Sequence, residues 1–320
     1  MRKWIIAMLA ACTWTLAFGQ PGGDTQPPPL VLVVGGPPGN PGDLLLRALA
    51  APLAAELAQP VVVENKPGAA GTVGLAAVAR AKPDGNVLGL FALQSAVAPA
   101  LIRQLPYDTL RDLAPVRQLS WVSNLLVVRS DSPLRSLDDV IRSGRSSPLT
   151  FASGGNGTPA HLAAALFAQE AGLQLQHVPF NGAMGGVNAL AGGHVQLMFA
   201  TVPSVAGLLQ AGKLRALATA APERLGLAPA APTLAEGGLT GATLRDWHGL
   251  VAPAGTPAER VERIAKVLDR VLAAEAVRQR LAAAGMEAVV SSTPGQFGSW
   301  IAAEVGRSAE VVRRAGITLQ

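Results

Sequence analysis

From Leu30 onward, short apolar runs alternate with longer segments in which apolar residues recur every three or four positions. The short runs are rich in Val and Leu, which predicts buried β-strands. The longer segments predict helices that bury one face. We predict strands at 30–34, 61–64, 87–91, 124–128, 149–152, 175–178, 195–199, 214–219 and 247–252, and helices at 43–58, 72–82, 136–143, 159–171, 183–191, 203–211, 257–284 and 294–314.

Strands separated by helices are typical of parallel sheets with helices on both faces. Ligands bind to such sheets where the carboxyl ends of strands meet helix N-termini. Two glycine-rich junctions of this kind, at 34–43 and 153–158, lie far apart in the chain. We therefore predict an α/β fold of two lobes facing a common cleft, each a mostly parallel sheet flanked by helices. The two hinge crossings are expected near 124–128 and 247–252.

On this interpretation lobe 1 comprises 30–124 and 247–320, and lobe 2 comprises 125–246. Residues 20–29 are rich in Pro and Gly, which indicates a flexible leader.

The first residues have the pattern of a targeting segment. Arg2 and Lys3 precede an apolar run at 4–18, and small residues follow, which predicts a secretory signal peptide at 1–19. The run is shorter than the about 20 apolar residues that a spanning helix needs. A lipoprotein signal with its acylated residue at Cys12 is the minor alternative.

Charge and cysteine content narrow the class of protein. The formal charge is +5, and loss of Arg2 and Lys3 leaves 24 basic against 21 acidic residues, or +3. The basic residues are scattered without interleaved aromatics, so nucleic acid is not an expected partner. Cys12 is the single cysteine, which excludes a disulfide or a thiolate metal site in the mature chain.

The segment 150–167 carries the clearest binding signal. It has the pattern of a strand, a glycine turn and a helix that begins near Thr158. Gly154, Gly155 and Gly157 allow a ligand to approach the backbone closely. The first N–H groups of a helix have no intrahelical partner, so this turn can bind an anion without Lys or Arg.

Catalytic and cofactor sites lack support. Gly155, Gly157 and Ala160 match the dinucleotide-binding fingerprint, but the expected acidic residue is missing from 175–181. Ser153 lacks the first glycine of a nucleophile elbow. No two of the four histidines have metal-ligand spacing. We therefore predict no enzyme activity, no catalytic residue, no metal and no cofactor.

Seven segments together, in order, resemble the Bordetella uptake gene (Bug) family, the extracytoplasmic receptors of tripartite tricarboxylate transporters. The resemblance covers roughly residues 30–320. It implies a type II-like periplasmic-binding-protein fold, a periplasmic location, a small organic carboxylate ligand, membrane permease subunits as partners and a monomer. The segments are 62–74, 82–85, 105–108, 152–162, 177–182, 231–238 and 247–257.

The resemblance also implies where the ligand binds. In the family, the loop after the first strand and the loop after the first strand of lobe 2 grip a carboxylate through backbone N–H groups and ordered water. Here those loops are 37–43 and 153–158. The first loop departs from the usual Gly-Gly-Gly-Thr-Asp, because Pro41 lacks an N–H and Gly42 lacks a hydroxyl. Asp43 is either a helix cap or, in addition, a ligand contact.

Many family members carry an acid at the position of Ala200, where it could meet a substrate ammonium, so its absence weakens the case for an amino-acid ligand. The predicted ligand-binding residues are Pro38, Gly39, Asn40, Gly42, Asp43, Gln94, Ser95, Ser153, Gly155, Asn156, Gly157, Thr158, Phe180, Asn181, Ala200 and Thr201.

Three functions follow in order. The first is a periplasmic solute-binding protein that captures a small carboxylate between its lobes for a tripartite tricarboxylate-type transporter. The second is an orphan ligand sensor for a two-component system, which a neighbouring sensor-kinase gene would favour. The third is a nicotinamide-dependent oxidoreductase, which the missing acid places last.

Overall fold

A computed structural model describes residues 27–314 and 316–317; the predicted signal peptide, Cys12 and most of the leader lie outside them. Within these residues the strands form two sheets with helices on their faces, as predicted. The strands are β1 (Leu30–Val34), β2 (Val61–Asn65), β3 (Val87–Ala92), β4 (Leu113–Val122), β5 (Asn124–Arg129), β6 (Leu149–Ser153), β7 (Leu175–Pro179), β8 (Leu197–Thr201), β9 (Leu214–Thr219), β10 (Asp246–Pro253) and β11 (Met286–Ala288).

The helices follow the predicted apolar periodicity in most places. They are α1 (Pro41–Leu57), α2 (Thr72–Ala79), α3 (Leu93–Leu101), α4 (Leu137–Ser146), α5 (Pro159–Ala171), α6 (Ala183–Ala191), α7 (Val202–Gln210), α8 (Ala258–Ala273), α9 (Glu275–Ala283) and α10 (Pro294–Arg314).

The two sheets are mixed, which corrects the prediction of mostly parallel sheets. The first has the order β11-β4-β10-β3-β1-β2, and only β1–β2 and β1–β3 are parallel. The second has the order β7-β6-β8-β5-β9, with β5 antiparallel to both neighbours. The antiparallel pairs arise because the strands beside the chain crossings, β4, β5, β9 and β10, run against those that feed helices.

The chain changes sheets twice. It leaves the first sheet after Val122, enters the second at Asn124, and returns to the first at Asp246. Below, lobe 1 means the first sheet with α1–α3 and α8–α10, and lobe 2 means the second sheet with α4–α7. The carboxyl ends of β1 and β6 therefore belong to different lobes, which places their two glycine-rich loops in opposite halves of the molecule.

Several elements differ from the prediction. The pattern did not indicate α3, β4 or β11, and the predicted helix at 257–284 is two helices broken at Ala274, whose backbone is extended. Gln94 and Ser95 were predicted at a strand end, but β3 ends at Ala92, so both residues lie in the first turn of α3.

One hydrophobic core extends through both lobes. Trp247 on β10 is fully buried, stacks on Phe91 at 5.9 Å between ring centroids, and meets Phe297 of α10 edge-on at 5.7 Å. Its indole N–H donates to Glu304 Oε2 at 3.1 Å. These contacts fix α10 against α3, and hence fix the helix that borders lobe 2. In the described ranges, no helix is both long enough and apolar enough to span a bilayer.

Candidate ligand-binding cleft

The first loop of the cleft joins β1 to α1. Pro41 is the first residue of α1, a position where its missing N–H costs nothing. The N-cap is Asn40, whose Oδ1 accepts the Asp43 N–H at 2.9 Å. Asp43 is therefore not the cap, which corrects that interpretation; it is the third helical residue.

Asp43 ties the loop to the helix instead. Its Oδ2 accepts the Gly39 N–H at 2.9 Å, and Arg47 Nε donates to both carboxylate oxygens at 3.0 Å. Arg47 also donates to Asn65 Oδ1 at 3.0 Å. Burial alone would raise the pKa of Asp43, but the hydrogen bonds from Arg47, Gly39 and Asn65 outweigh it and lower the pKa. The ionised carboxylate is occupied by donors of the protein itself.

The second loop joins β6 to α5 and is fastened by side chains within it. Ser153 Oγ donates to the Gly155 carbonyl at 3.0 Å and accepts the Gly155 N–H at 3.1 Å. Thr158 Oγ1 donates to the same carbonyl at 2.7 Å, so Thr158 is the N-cap residue without a side-chain cap bond. The Gly157 N–H donates to His161 Nδ1 at 3.2 Å.

The two loops share one construction. In each, a glycine with positive φ (+82° at Gly39, +74° at Gly157) donates its N–H to a side chain four residues later, in the first helical turn. In each, proline is the first helical residue. Sequence reasoning missed this equivalence, although the pattern Gly-x-Pro-x-Asp/His recurs at 39–43 and 157–161 and could have revealed it.

Other peptide N–H groups of the loops remain free. Among the described residues, no protein acceptor binds the N–H of Gly36 or Gly42 in lobe 1, or of Gly154 or Asn156 in lobe 2. Gly42 packs so closely on Leu90 that a Cβ would lie 2.1 Å from Leu90 Cδ2, which explains the glycine at this position. Each jaw thus retains two N–H donors beside a helix N-terminus, an arrangement that binds anions.

The lobes approach each other on both sides of these loops. Pro37 Cγ lies 3.9 Å from the point where a Cβ on Gly182 would stand. On the other side, a Cβ on Gly157 would lie 2.4 Å from Leu101 Cδ1 and 3.7 Å from Val97 Cγ1, both on α3. The structure therefore brings the two predicted loops to a common cleft, with α3 of lobe 1 packed against the lobe 2 loop.

The remaining predicted residues are placed unevenly. Gln94 lies beside the lobe 1 loop, with Nε2 3.1 Å from the Cβ position of Gly71. Ser95 Oγ accepts the Ala92 N–H at 3.3 Å and so faces its own helix. Thr201 Oγ1 bonds Ser204 Oγ at 2.9 Å.

Lobe 2 places its remaining residues on both sides of the cleft surface. Phe180 is half-buried against Gly185 of α6, where a Cβ would lie 3.1 Å from Phe180 Cβ. Asn181 is exposed next to Gly182, and Pro38 is exposed on the opposite loop. Ala200 has no exposed surface and belongs to the core of lobe 2. No cluster of three or more His, Cys, Asp or Glu side chains suited to a metal occurs in the described part of the chain.

Comparison with known proteins identifies the family. The family model described as "Tripartite tricarboxylate transporter family receptor" matches residues 45–317. Protein BugT of Bordetella pertussis is 35% identical over 302 residues, which cover 93% of this chain and 92% of BugT.

Solved structures agree over nearly the whole chain. R. palustris Rpa4515 with adipate has a TM-score of 0.86 at 30% identity, covering 92% of this chain and 99% of its own. MatC (Rpa3494) from Rhodopseudomonas palustris with bound malate has a TM-score of 0.80 at 31% identity, covering 88% and 98%. With the family match extending over most of its length, the chain belongs to the receptor family of the tripartite tricarboxylate transporters.

Proposed function

We propose that the protein is a periplasmic solute receptor that binds a small dicarboxylate between its lobes for a membrane permease. The observation that carries this proposal is the pair of opposed loops, each with two N–H groups that no protein acceptor takes. No Lys or Arg occurs in 35–43, 92–95, 153–158 or 180–182. The cleft is therefore built to hold anions by backbone dipoles.

Two jaws with two donors each suit a ligand with a carboxylate at both ends. A hydrogen bond to a charged group contributes about 1.5–3 kcal/mol, and a helix N-terminus adds about 0.3–1 kcal/mol for each anion. One carboxylate at Gly36 and Gly42 and another at Gly154 and Asn156 would draw the lobes together. The adipate and malate bound by the two relatives, both dicarboxylates, support this assignment.

The acidic groups of the cleft disfavour an α-ammonium on the ligand. Asp43 is the single acidic residue of the loop segments named above, and Arg47 and Gly39 already occupy its carboxylate. Ala200 offers no acid from the lobe 2 sheet. An amino group would therefore enter the cleft without a counter-charge, so we expect hydroxy- and unsubstituted dicarboxylates to bind better than amino dicarboxylates.

The remaining features follow from this role. We place lobe 1 at 30–124 and 247–320 and lobe 2 at 125–246, secreted to the periplasm as a monomer. Ligand contacts on both lobes favour the closed form, which the permease then recognises.

Titration calorimetry and thermal shift test the proposal with matched ligands. Succinate, malate and adipate are compared with aspartate and with adipamide, the uncharged diamide of adipate. A ligand at 100 times its Kd stabilises the folded protein by about 2.7 kcal/mol, so a binder gives a clear rise in Tm. We expect a dicarboxylate to bind, aspartate to bind at least about tenfold more weakly than succinate, and adipamide to have no effect. The proposal fails if no carboxylate binds or if adipamide binds as well as adipate.

A further inference from the structure

Three stacked rings lie directly behind the lobe 2 loop. Phe151 of β6 and His177 of β7 are register partners, and their rings stack at 4.7 Å with an interplanar angle of 18°. His177 in turn stacks on His161 of α5 at 4.0 Å and 18°. The stack joins the strand before the loop, the neighbouring strand and the helix after the loop.

Both histidines also hydrogen-bond into the loop. His161 Nδ1 accepts the Gly157 N–H, so its own proton is on Nε2. His177 Nε2 lies 2.6 Å from Ser153 Oγ. The Ser153 hydroxyl donates its one hydrogen to the Gly155 carbonyl, so His177 Nε2 carries a proton and donates to Oγ. In this assignment every polar atom of the network has a partner.

The neutral form of His161 is required by this arrangement, because an imidazolium has no acceptor for the Gly157 N–H. Burial, with a smaller effect of the neighbouring His177, lowers the pKa of His161 to about 4. Burial also lowers the pKa of His177. Both rings are therefore neutral at the near-neutral pH of a binding experiment, and the loop keeps one conformation.

The bonds made by the two histidines decide which loop N–H groups face the cleft. The Gly157 N–H is turned back to His161, and the Gly155 N–H to Ser153. The N–H groups of Gly154 and Asn156 remain unaccepted among the described residues.

We infer that His161 and His177 are positioning residues, which hold loop 153–158 in its ligand-binding shape without contacting the ligand. This inference rests on the proposed function, because loop 153–158 is one of the two anion-binding jaws.

Paired substitutions separate the hydrogen bonds from the packing. His161→Phe keeps a ring in the stack but removes the acceptor, whereas His161→Asn places an amide oxygen near the position of Nδ1. His177→Phe removes the donor, whereas His177→Gln places an amide NH₂ near the position of Nε2. Exposed His194 provides the control, as His194→Phe.

Calorimetry with the tightest dicarboxylate of the panel measures the effect at pH 7. A lost hydrogen bond in the loop is expected to weaken binding about fivefold to tenfold in each Phe variant, and the Asn and Gln variants are expected to recover most of that loss. His194→Phe is expected to bind like wild type. Equal affinities in the Phe variant and its amide counterpart would overturn the inference, since only packing would then matter.

A second readout does not depend on folding differences between variants. Nitrogen-15 NMR of the wild-type imidazoles is expected to show the Nε2-protonated neutral tautomer for both rings at pH 7. An Nδ1-protonated His161 would overturn the inference. If wild type binds no carboxylate while the NMR assignment holds, the proposed function has failed and the hydrogen-bond network has not.

Discussion

Replacing Asp246 with Asn is expected to change the pH dependence of stability. Asp246 begins β10 at the second crossing, is 4% exposed, and pairs with Val122 across the sheet. No ion pair of Asp246 occurs within residues 27–314. Burial raises the pKa of this carboxyl to about 7, although the backbone N–H groups of Trp247 and Leu93 act to lower it. The folded protein therefore holds a protonated carboxyl here up to neutral pH.

The sign and size follow from linkage. The unfolded chain loses this proton near the ordinary pKa of 3.8, whereas the folded protein loses it near 7. Between these values the unfolded state binds fewer protons, so the free energy of unfolding falls as pH rises and is constant above 7. Each factor of ten in proton affinity is worth about 1.4 kcal/mol, which sets an upper bound of about 4 kcal/mol over the whole range. Asn does not titrate, so the Asp246→Asn variant lacks this loss.

Urea unfolding at pH 5 and pH 8 measures the effect. The difference in free energy of unfolding, Asp246→Asn minus wild type, is expected to be about 2–3 kcal/mol more favourable to the variant at pH 8. Any fixed packing cost of the amide is the same at both pH values and cancels, as do the buried histidines. Asp138→Asn, at an exposed carboxylate, is the control and should show no such change. An Asp246→Asn difference that is equal at pH 5 and pH 8 would refute the burial argument.

Two further substitutions test the backbone of the cleft. Gly157→Ala is expected to weaken dicarboxylate binding at least about tenfold by calorimetry, because Cβ adds left-handed strain of about 1–2 kcal/mol and collides with Leu101 across the lobes; Gly172→Ala, with similar φ but open space, carries only the strain and should leave affinity unchanged. Ala70→Gly is expected to raise the free energy of unfolding by about 0.5–1 kcal/mol in urea, since Ala70 has φ of +55°, whereas Ala79→Gly inside α2 should lower it by about 1 kcal/mol.

The hydrophobic pattern predicted the elements whose buried residues are uninterrupted. It missed α3 because residues 87–98 are almost entirely apolar apart from Gln94 and Ser95, so nothing in the pattern marks where β3 becomes a helix. It missed β4 because Arg117, Gln118 and Ser120 make the segment polar in sequence. In the structure Arg117 is fully buried, donating to the Val289 carbonyl and paired with Asp269. Tertiary partners of this kind cannot be inferred from a local pattern.

The sequence located both loops of the cleft but not their donors. Gly39 and Gly157 were natural candidates for anion contacts, yet Asp43 and His161 take their N–H groups. That assignment depends on the turn by which each chain enters its helix, which residue types alone do not determine.

The shared construction of the jaws makes their one difference informative. Both use the third helical residue to hold the preceding glycine, but lobe 1 does so with a charged Asp43 and lobe 2 with a neutral His161. A carboxylate beside the ligand's own carboxylate would repel it, and Arg47 removes that cost by binding both oxygens of Asp43. Lobe 2 needs no counter-ion, since burial keeps His161 uncharged. The cleft thus reaches near-neutral side-chain charge by two different routes, and in both jaws the attraction for an anion is left to the backbone N–H groups.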